Sequence, residues 1–207
     1  MKDYRGMSIG PSRGAALVLK GIFAFSATHK SGGKITDSYQ LEITVPAEFP
    51  KLLPTARETG GKIPRDGKHH VNDDKSLCLG SPLRLRLKVS GKPTLSGFAE
   101  SCLVPYLYAV SYKLQNGVEF PFGELSHGEA GIIEDYMEMF GLKSKSEVHY
   151  ALELLGTRRR VANKQPCPCN CGQRLGRCRL HRTLNGYRKL ESRSWFNTHR
   201  KRLGAGM

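Results

Sequence analysis

Four cysteines and a histidine lie close together near the end of the chain, and they constrain the fold of that segment more than any other feature does. The stretch "CPCNCGQRLGRCRLH" holds Cys167, Cys169, Cys171, Cys178 and His181 within 15 residues. Soft ligands in two groups suit a tetrahedral Zn²⁺ ion, and the glycines between them let the chain fold around it. We expect a segment this small to fold only with its metal.

The spacing of these cysteines resembles the SEC-C zinc motif, in which Cys-x-Cys is followed after eight residues by Cys and then by Cys or His. Cys167, Cys169 and Cys178 match this pattern. Arg179 stands at the expected fourth position, so the resemblance favours His181 as the fourth ligand of a structural zinc ion. Cys171 stands where the motif commonly has serine and can compete with His181 for that place.

Positive charge is concentrated after residue 155. Residues 156–207 contain 14 Lys/Arg and one acid, Glu191, whereas residues 1–155 contain 19 Lys/Arg and 17 acids. This predicts a nearly neutral body, residues 1–155, and a basic zinc-binding tail, residues 156–207. Such a tail can bind nucleic acid or an acidic protein surface, or serve only as a solvated face.

The hydrophobic pattern predicts an α+β fold. "ALVLKGIFAFSATHK" and "ITDSYQLEITVP" alternate apolar and polar residues around a Gly-rich turn, which is typical of an antiparallel hairpin. "ARETGGKIP" can supply a third strand, and the alternation of Leu83–Val89 predicts another short strand. An apolar face predicts a helix over 94–115 that Pro105 kinks or divides. Capping boxes that start at Ser126 and Ser144 predict two further helices before the chain reaches residue 156.

An irregular polar loop, residues 65–82, carries Cys78. Loops of this length are usually functional or disordered. A thiol ionises most easily near cations, and Lys75, His69 and His70 lie nearby in the sequence. Alternatively, Cys78 is a buried core thiol, a metal ligand together with the histidines, or the nucleophile of a cysteine hydrolase with His70. The other cysteine of the body, Cys102, lies on the apolar helix face, where core packing is favoured.

The order of strands, loop and helix resembles the ubiquitin-conjugating enzyme family over roughly residues 15–115. The matching residues are "YQLEITVPAEFPKLLP", then "HVN" at 70–72, then "LCL" at 77–79. The resemblance is closest to a bacterial branch found in antiphage operons, beside a nucleotidyltransferase that makes cyclic oligonucleotides. "GELSHGEAGIIEDYMEMFG" is also similar to that branch. Val71 replaces the family's proline, and Asn72 precedes the cysteine by six residues where the family has eight.

This resemblance implies a ubiquitin-conjugating-enzyme-like antiparallel sheet packed against helices, and a transferase that holds a protein C-terminus as a thioester on Cys78. The implied cargo is the cyclic-oligonucleotide synthase, transferred in antiviral defence to a lysine of an unknown acceptor. Asn72 would stabilise the oxyanion, by about 3 kcal/mol, or would hold the loop backbone. His70 would brace the loop by hydrogen bonds or act as a catalytic base. Asp73 or Asp74 would assist loss of the lysine proton, or would only form a turn.

Two other functions remain open, a non-catalytic adaptor of the same fold and a nucleic-acid-binding protein that acts through the basic tail. The sequence contains no Gly-rich nucleotide loop on a βα unit, so either another protein activates the cargo or the enzyme bypasses adenylation. No 18-residue apolar run and no signal-peptide pattern occur in the sequence. We therefore expect a cytoplasmic protein without a membrane partner, whose cysteines stay reduced.

Overall fold

The computed structural model describes residues 4–12, 14–30, 32–117 and 128–204. The chain divides into two compact units. The first comprises Met1–Gly80 and Lys88–Glu124 and is called the sheet unit. The second comprises Ser81–Leu87 and Leu125–Met207 and is called the helical unit.

The sheet unit contains an antiparallel sheet of four strands in the order β1-β2-β3-β4. The strands are β1 (Met7–Ile9), β2 (Leu17–His29), β3 (Gly33–Val45) and β4 (Thr55–Glu58). The predicted hairpin is confirmed, with β2 and β3 paired from Leu17 opposite Val45 to His29 opposite Gly33. The predicted third strand forms only in part. The Glu58 carboxylate accepts the backbone N–H groups of Gly60 and Gly61, which turns the chain away from the sheet.

Helices follow the sheet. They are α1 (Pro82–Ser90), α2 (Leu95–Phe98), a π-helical turn (Ala99–Leu103) and α3 (Val104–Asn116). The predicted helix over 94–115 is confirmed, and Pro105 lies in the first turn of α3, directly after the π-helical turn. Leu103, Leu107 and Val110 are fully buried in a core that they share with the apolar side chains of β2 and β3. The Tyr39 hydroxyl and Ser111 Oγ are hydrogen-bonded at 2.7 Å and join β3 to α3.

The strand predicted at Leu83–Val89 is wrong, because these residues form most of α1. Leucine, arginine and lysine all favour helices, and a proline is well tolerated in the first helical turn. Both arginines of the alternating pattern have acidic partners within the helical unit. Arg84 pairs with Asp135 at 2.5 Å, and Arg86 pairs with Glu191 at 2.5 Å. The two arginines point to different sides of α1 and each finds its own acid, so the period-2 pattern does not mark a strand here.

The helical unit is built on its own core. Its remaining helices are α4 (Gly128–Phe140), α5 (Lys145–Gly156), α6 (Arg159–Ala162), α7 (Leu180–Tyr187) and α8 (Arg193–Arg202). Ser144 caps α5 as predicted, since its Oγ accepts the N–H of Glu147, whereas the Glu147 carboxylate accepts the N–H of Lys143, one residue before the position that a capping box uses. The box predicted to start at Ser126 lies outside the described residues.

The compact units do not divide at the predicted boundary between residues 155 and 156. The core of the helical unit includes Leu152 and Leu155 from α5 together with Ala162, Leu184 and Phe196 from the basic tail. The tail therefore buries its apolar residues against α4 and α5 and has no separate core. Among the described residues, no helix is both long and apolar enough to cross a membrane.

Candidate functional site

The loop that carries Cys78 folds into a tight hairpin. The N–H of Cys78 donates to the His70 carbonyl at 2.8 Å, and Val71 and Leu77 form an isolated antiparallel bridge. Closer to the tip, the N–H of Asn72 donates to the carbonyl of Ser76 at 2.9 Å. The loop is thus ordered by backbone hydrogen bonds that fix the position of the cysteine relative to His70.

Two contacts hold this hairpin against β4 and α3 of the same unit. The N–H of Leu77 donates to the carbonyl of Ala56 in β4 at 2.8 Å. On the other side, the Tyr106 hydroxyl of α3 donates to the carbonyl of His69 at 2.7 Å. Tyr106 lies on the apolar face of the helix predicted over 94–115, and the sequence did not single it out as part of this site. Its hydroxyl was the available signal, because a buried tyrosine hydroxyl usually finds a polar partner.

The Cys78 thiol is half-buried, and its surroundings disfavour the thiolate. Burial raises the pKa of Cys78, and a hydrogen bond from the backbone N–H of Gly80 lowers the pKa only in part. Lys75, His69 and His70, which lie near Cys78 in the sequence, are not among the causes of this shift. The His69 ring instead bonds to Asp66 through Nδ1 at 2.7 Å.

Asn72 lies in the turn of the hairpin and is bonded within it. Its side-chain amide donates to Ser76 Oγ at 2.9 Å. The hydroxyl and N–H of Ser76 both donate to Asp74 Oδ1, and these bonds are the main reason that the pKa of Asp74 is lowered. This geometry makes Asn72 and Asp74 braces of the turn, the second of the two roles considered for each.

His70 also has a backbone role. It ends the short 3₁₀ helix Gly67–His69 in the left-handed conformation, with φ 53°. This turn directs the His70 carbonyl toward the N–H of Cys78. The other cysteine of the sheet unit, Cys102, is 1% exposed, as core packing predicts.

Gly80 is the further residue of this site that the sequence did not single out. Its N–H is the donor at the sulfur of Cys78, and its φ of 137° is a conformation that favours glycine. A donor at the sulfur stabilises negative charge there, so the loop can support a thiolate when one forms. The signal was the glycine two residues after the cysteine in "CLGSP".

The cysteines of the helical unit form one compact group. The sulfur atoms of Cys167, Cys169, Cys171 and Cys178 all lie within 4.8 Å of one another. The Cys167–Cys169 separation is 3.1 Å and the Cys169–Cys178 separation is 3.6 Å. Ligand sulfurs at about 2.3 Å from a tetrahedral zinc ion are about 3.8 Å apart. The donor set therefore fits a tetrahedral metal ion such as Zn²⁺.

The fourth member of this group is Cys171, the residue expected to compete with His181 for the place of fourth ligand. An antiparallel bridge between Pro166 and Arg174 turns the chain back on itself, which returns Cys171 to the other sulfurs. His181 belongs to α7, where its N–H donates to the carbonyl of Cys178 at 3.2 Å. The group of sulfur atoms that lie within reach of one ion does not include His181.

The thiols of the group differ in their tendency to ionise. Burial raises the pKa of Cys167 and of Cys169. Cys171 is exposed, and a backbone hydrogen bond from Gln173 lowers its pKa. A bound metal ion requires thiolates, so binding must release protons from these cysteines.

Comparison of the chain with profiles of protein families, with curated proteins and with solved structures finds no match.

Proposed function

We propose that the chain is a ubiquitin-conjugating-like transferase that carries a protein C-terminus as a thioester on Cys78. The observation that carries this proposal is the presentation of Cys78. The cysteine lies on a hairpin that is bonded to β4 and to α3, and a backbone N–H points at its sulfur. A nucleophile held on a rigid scaffold with a donor at the reacting atoms is what acyl transfer requires.

The architecture of the sheet unit supports the proposal. An antiparallel meander, an irregular loop with His-x-Asn and a cysteine, and then a long helix follow in the order that the resemblance to ubiquitin-conjugating enzymes implies. The proposed fold is that of this family, with residues 1–3 and 118–127 outside the described part of the chain.

In the loading step, the Cys78 sulfur attacks the carbonyl carbon of a C-terminus that another protein has activated. The S–C bond forms, the bond from that carbon to the activating group breaks, and the thiol proton passes to solvent or to the leaving group. Because burial raises the pKa of Cys78, little thiolate exists beforehand. We therefore expect loading to need the delivering protein, whose docking changes the surroundings of the loop.

In the transfer step, a lysine amine of the acceptor attacks the same carbonyl carbon. An amide bond forms, the S–C bond breaks, and the Cys78 thiol is regenerated with a proton from the amine. The Gly80 N–H is the donor that the described loop offers to the charge that develops on sulfur. Asn72 and His70 act by keeping the hairpin in place, as their hydrogen bonds indicate.

The remaining parts of the proposal come from the resemblance and from the cysteine group. The cargo is the C-terminus of a cyclic-oligonucleotide synthase, and the transfer serves antiviral defence in the cytoplasm. A structural zinc ion held by Cys167, Cys169, Cys171 and Cys178 stabilises the helical unit. The buried Cys167 side chain and the leucines around it connect that site to the core of the unit.

The test is a Cys78→Lys variant isolated from the cells in which the gene occurs. Because an amide does not hydrolyse under these conditions, the variant should accumulate with its cargo attached, and peptide sequencing should find a protein C-terminus joined to residue 78. A Cys102→Ala variant is the matched control and should behave as the wild type. If the Cys78→Lys variant is folded but carries no adduct, the proposal that the protein is a conjugating enzyme is refuted.

A non-catalytic adaptor of the same fold is the second candidate. The observation that favours it is the raised pKa of Cys78, since a thiol that stays protonated is a poor nucleophile. The adaptor predicts that Cys78→Ala binds the same partners as the wild type and that neither protein carries a thiol-sensitive adduct.

A further inference from the structure

Four chain segments of the helical unit meet at the carboxyl end of α5. Arg188, just after α7, donates from its guanidinium to the carbonyls of Leu155 and Thr157, both at 2.9 Å. Asn197 in α8 donates to the carbonyl of Gly156 at 3.3 Å. The ends of α5 and α7 and the starts of α6 and α8 are thereby fixed side by side.

This junction gathers arginines without acids between them. Burial lowers the pKa of Arg188, and the positive charges of Arg159 and Arg193 lower it further. The hydrogen bonds show the same proximity, because Arg188 is bonded to the carbonyl of Thr157, two residues before Arg159, and α8, which begins at Arg193, is bonded through Asn197 to Gly156. Arg159 and Arg193 are themselves exposed, as are Arg158 and Arg160. We call the four exposed residues and Arg188 the arginine surface.

The acids of this region are already paired. Glu191 is the one acid of residues 156–207, and its side chain is bonded to Arg86 and only 11% exposed. Glu153 of α5 pairs with Arg200 at 3.4 Å. The arginine surface therefore has a net positive charge that these acids do not neutralise, and an anionic ligand can.

We propose that the arginine surface binds the phosphodiester backbone of nucleic acid. Arginine is much the commoner cation in the tail, with 11 Arg and 3 Lys in residues 156–207. Guanidinium groups present a fork of N–H donors that matches phosphate oxygens, and they carry their charge at every accessible pH. This inference does not depend on the chemistry of Cys78.

The chemistry of the surface favours nucleic acid over a membrane. A membrane-binding surface pairs its cations with large exposed aromatic or apolar anchors. Trp195 and Phe196 at the start of α8 are half-buried and buried, and the exposed apolar side chain beside the arginines of α6 is the small Val161, 46% exposed. An acidic protein surface also complements a positive surface, so the experiment below compares the DNA duplex with a polycarboxylate directly. Contacts to phosphates alone predict binding that depends on salt and not on sequence.

The size of the salt effect follows from the number of arginines. Four exposed guanidiniums on phosphates predict a slope of about −3.6 for log K against log salt on duplex DNA. Reversing two of these charges should reduce the slope by about 2 and weaken binding at least about tenfold at moderate salt.

The experiment uses the full chain loaded with zinc, with fluorescence anisotropy on a labelled DNA duplex of about 20 base pairs at several salt concentrations. The test variant is Arg159→Glu/Arg193→Glu. The matched control is Lys30→Glu/Lys34→Glu, which changes the net charge equally at exposed residues around the β2–β3 turn. If charge reversal unfolds the helical unit, the double variant Arg159→Gln/Arg193→Gln, which only removes the two charges, is measured instead.

The proposal expects the arginine variants to lose affinity and salt slope while the lysine control stays within about twofold of the wild type. Equal losses in both double variants would overturn it, because net charge alone would then explain the binding. Stronger binding to poly-L-glutamate or to phosphatidylserine vesicles than to the duplex would also overturn it, in favour of a protein or membrane partner.

Discussion

Removal of the Tyr106 hydroxyl tests whether α3 holds the Cys78 hairpin in place. In Tyr106→Phe the ring stays in the core, where the residue is 8% exposed, and only the 2.7 Å bond to the His69 carbonyl is lost. Such a bond contributes about 1 kcal/mol, and the carbonyl left behind is still partly accessible to water.

The measurable consequence is the reactivity of Cys78. A half-buried thiol is alkylated mainly when its loop opens, and the open state lacks the Tyr106 bond. Lowering the opening free energy by about 1 kcal/mol raises the open population, and hence the iodoacetamide rate, about fivefold. The global free energy of unfolding in urea should fall by a similar amount, about 1 kcal/mol.

The matched control is Tyr108→Phe on the same helix. Its hydroxyl donates to the Gly33 carbonyl at 2.9 Å, away from the Cys78 hairpin. This variant should lose comparable global stability and leave the alkylation rate of Cys78 within about twofold of the wild type. Equal rate changes in the two variants, or no change in Tyr106→Phe, would show that α3 does not restrain the hairpin.

Three further predictions follow from the described contacts. Burial lowers the pKa of His199 from 6.5 to about 4. Between these two pKa values the unfolded chain binds more protons than the folded chain, so the unfolding free energy should fall by about 2–3 kcal/mol as the pH drops from 6.5 to about 4. Urea titrations of His199→Gln should lack this fall. Cys171→Ser should weaken zinc binding at least about tenfold in a chelator competition while His181→Ala should not, and the reverse result would restore the imidazole as ligand. Asn72→Ala should slow thioester loading and discharge by the same factor, because the amide braces Ser76; a loss confined to discharge would instead place Asn72 at the oxyanion.

The elements with long, unambiguous periodicity were predictable from the sequence. The β2–β3 hairpin has 13 residues in each strand with regular alternation, and the helix over 94–115 has a continuous apolar face. The segment Leu83–Val89 was not predictable in this way. Seven residues are too few for period alone to separate a strand from a helix, and the acidic partners of its arginines, Asp135 and Glu191, are far away in the sequence.

The candidate sites were also predictable only where local sequence spacing decides them. The cysteines of the tail were visible from spacing, but the choice between Cys171 and His181 depended on the turn that the Pro166–Arg174 bridge makes. Lys75 and the histidines near Cys78 suggested an activated thiol because they are close in sequence. The pKa of Cys78 is instead set by burial and by Gly80, which are tertiary properties of the hairpin. Charge likewise suggested a separate tail, although its apolar residues complete the core around α5.

The proposed thioester on Cys78 is tested most directly by the intact mass of the wild-type protein, isolated from its own cells at low pH without reducing agent. A fraction of the chain should be heavier by the mass of a protein, and hydroxylamine or a thiol should release that mass. Cys78→Ser should carry the adduct only as an ester that resists thiols. A wild-type protein at its bare mass while its cells conjugate the cargo, or a thiol-sensitive adduct that persists in Cys78→Ala, would contradict the assignment of Cys78 as the nucleophile.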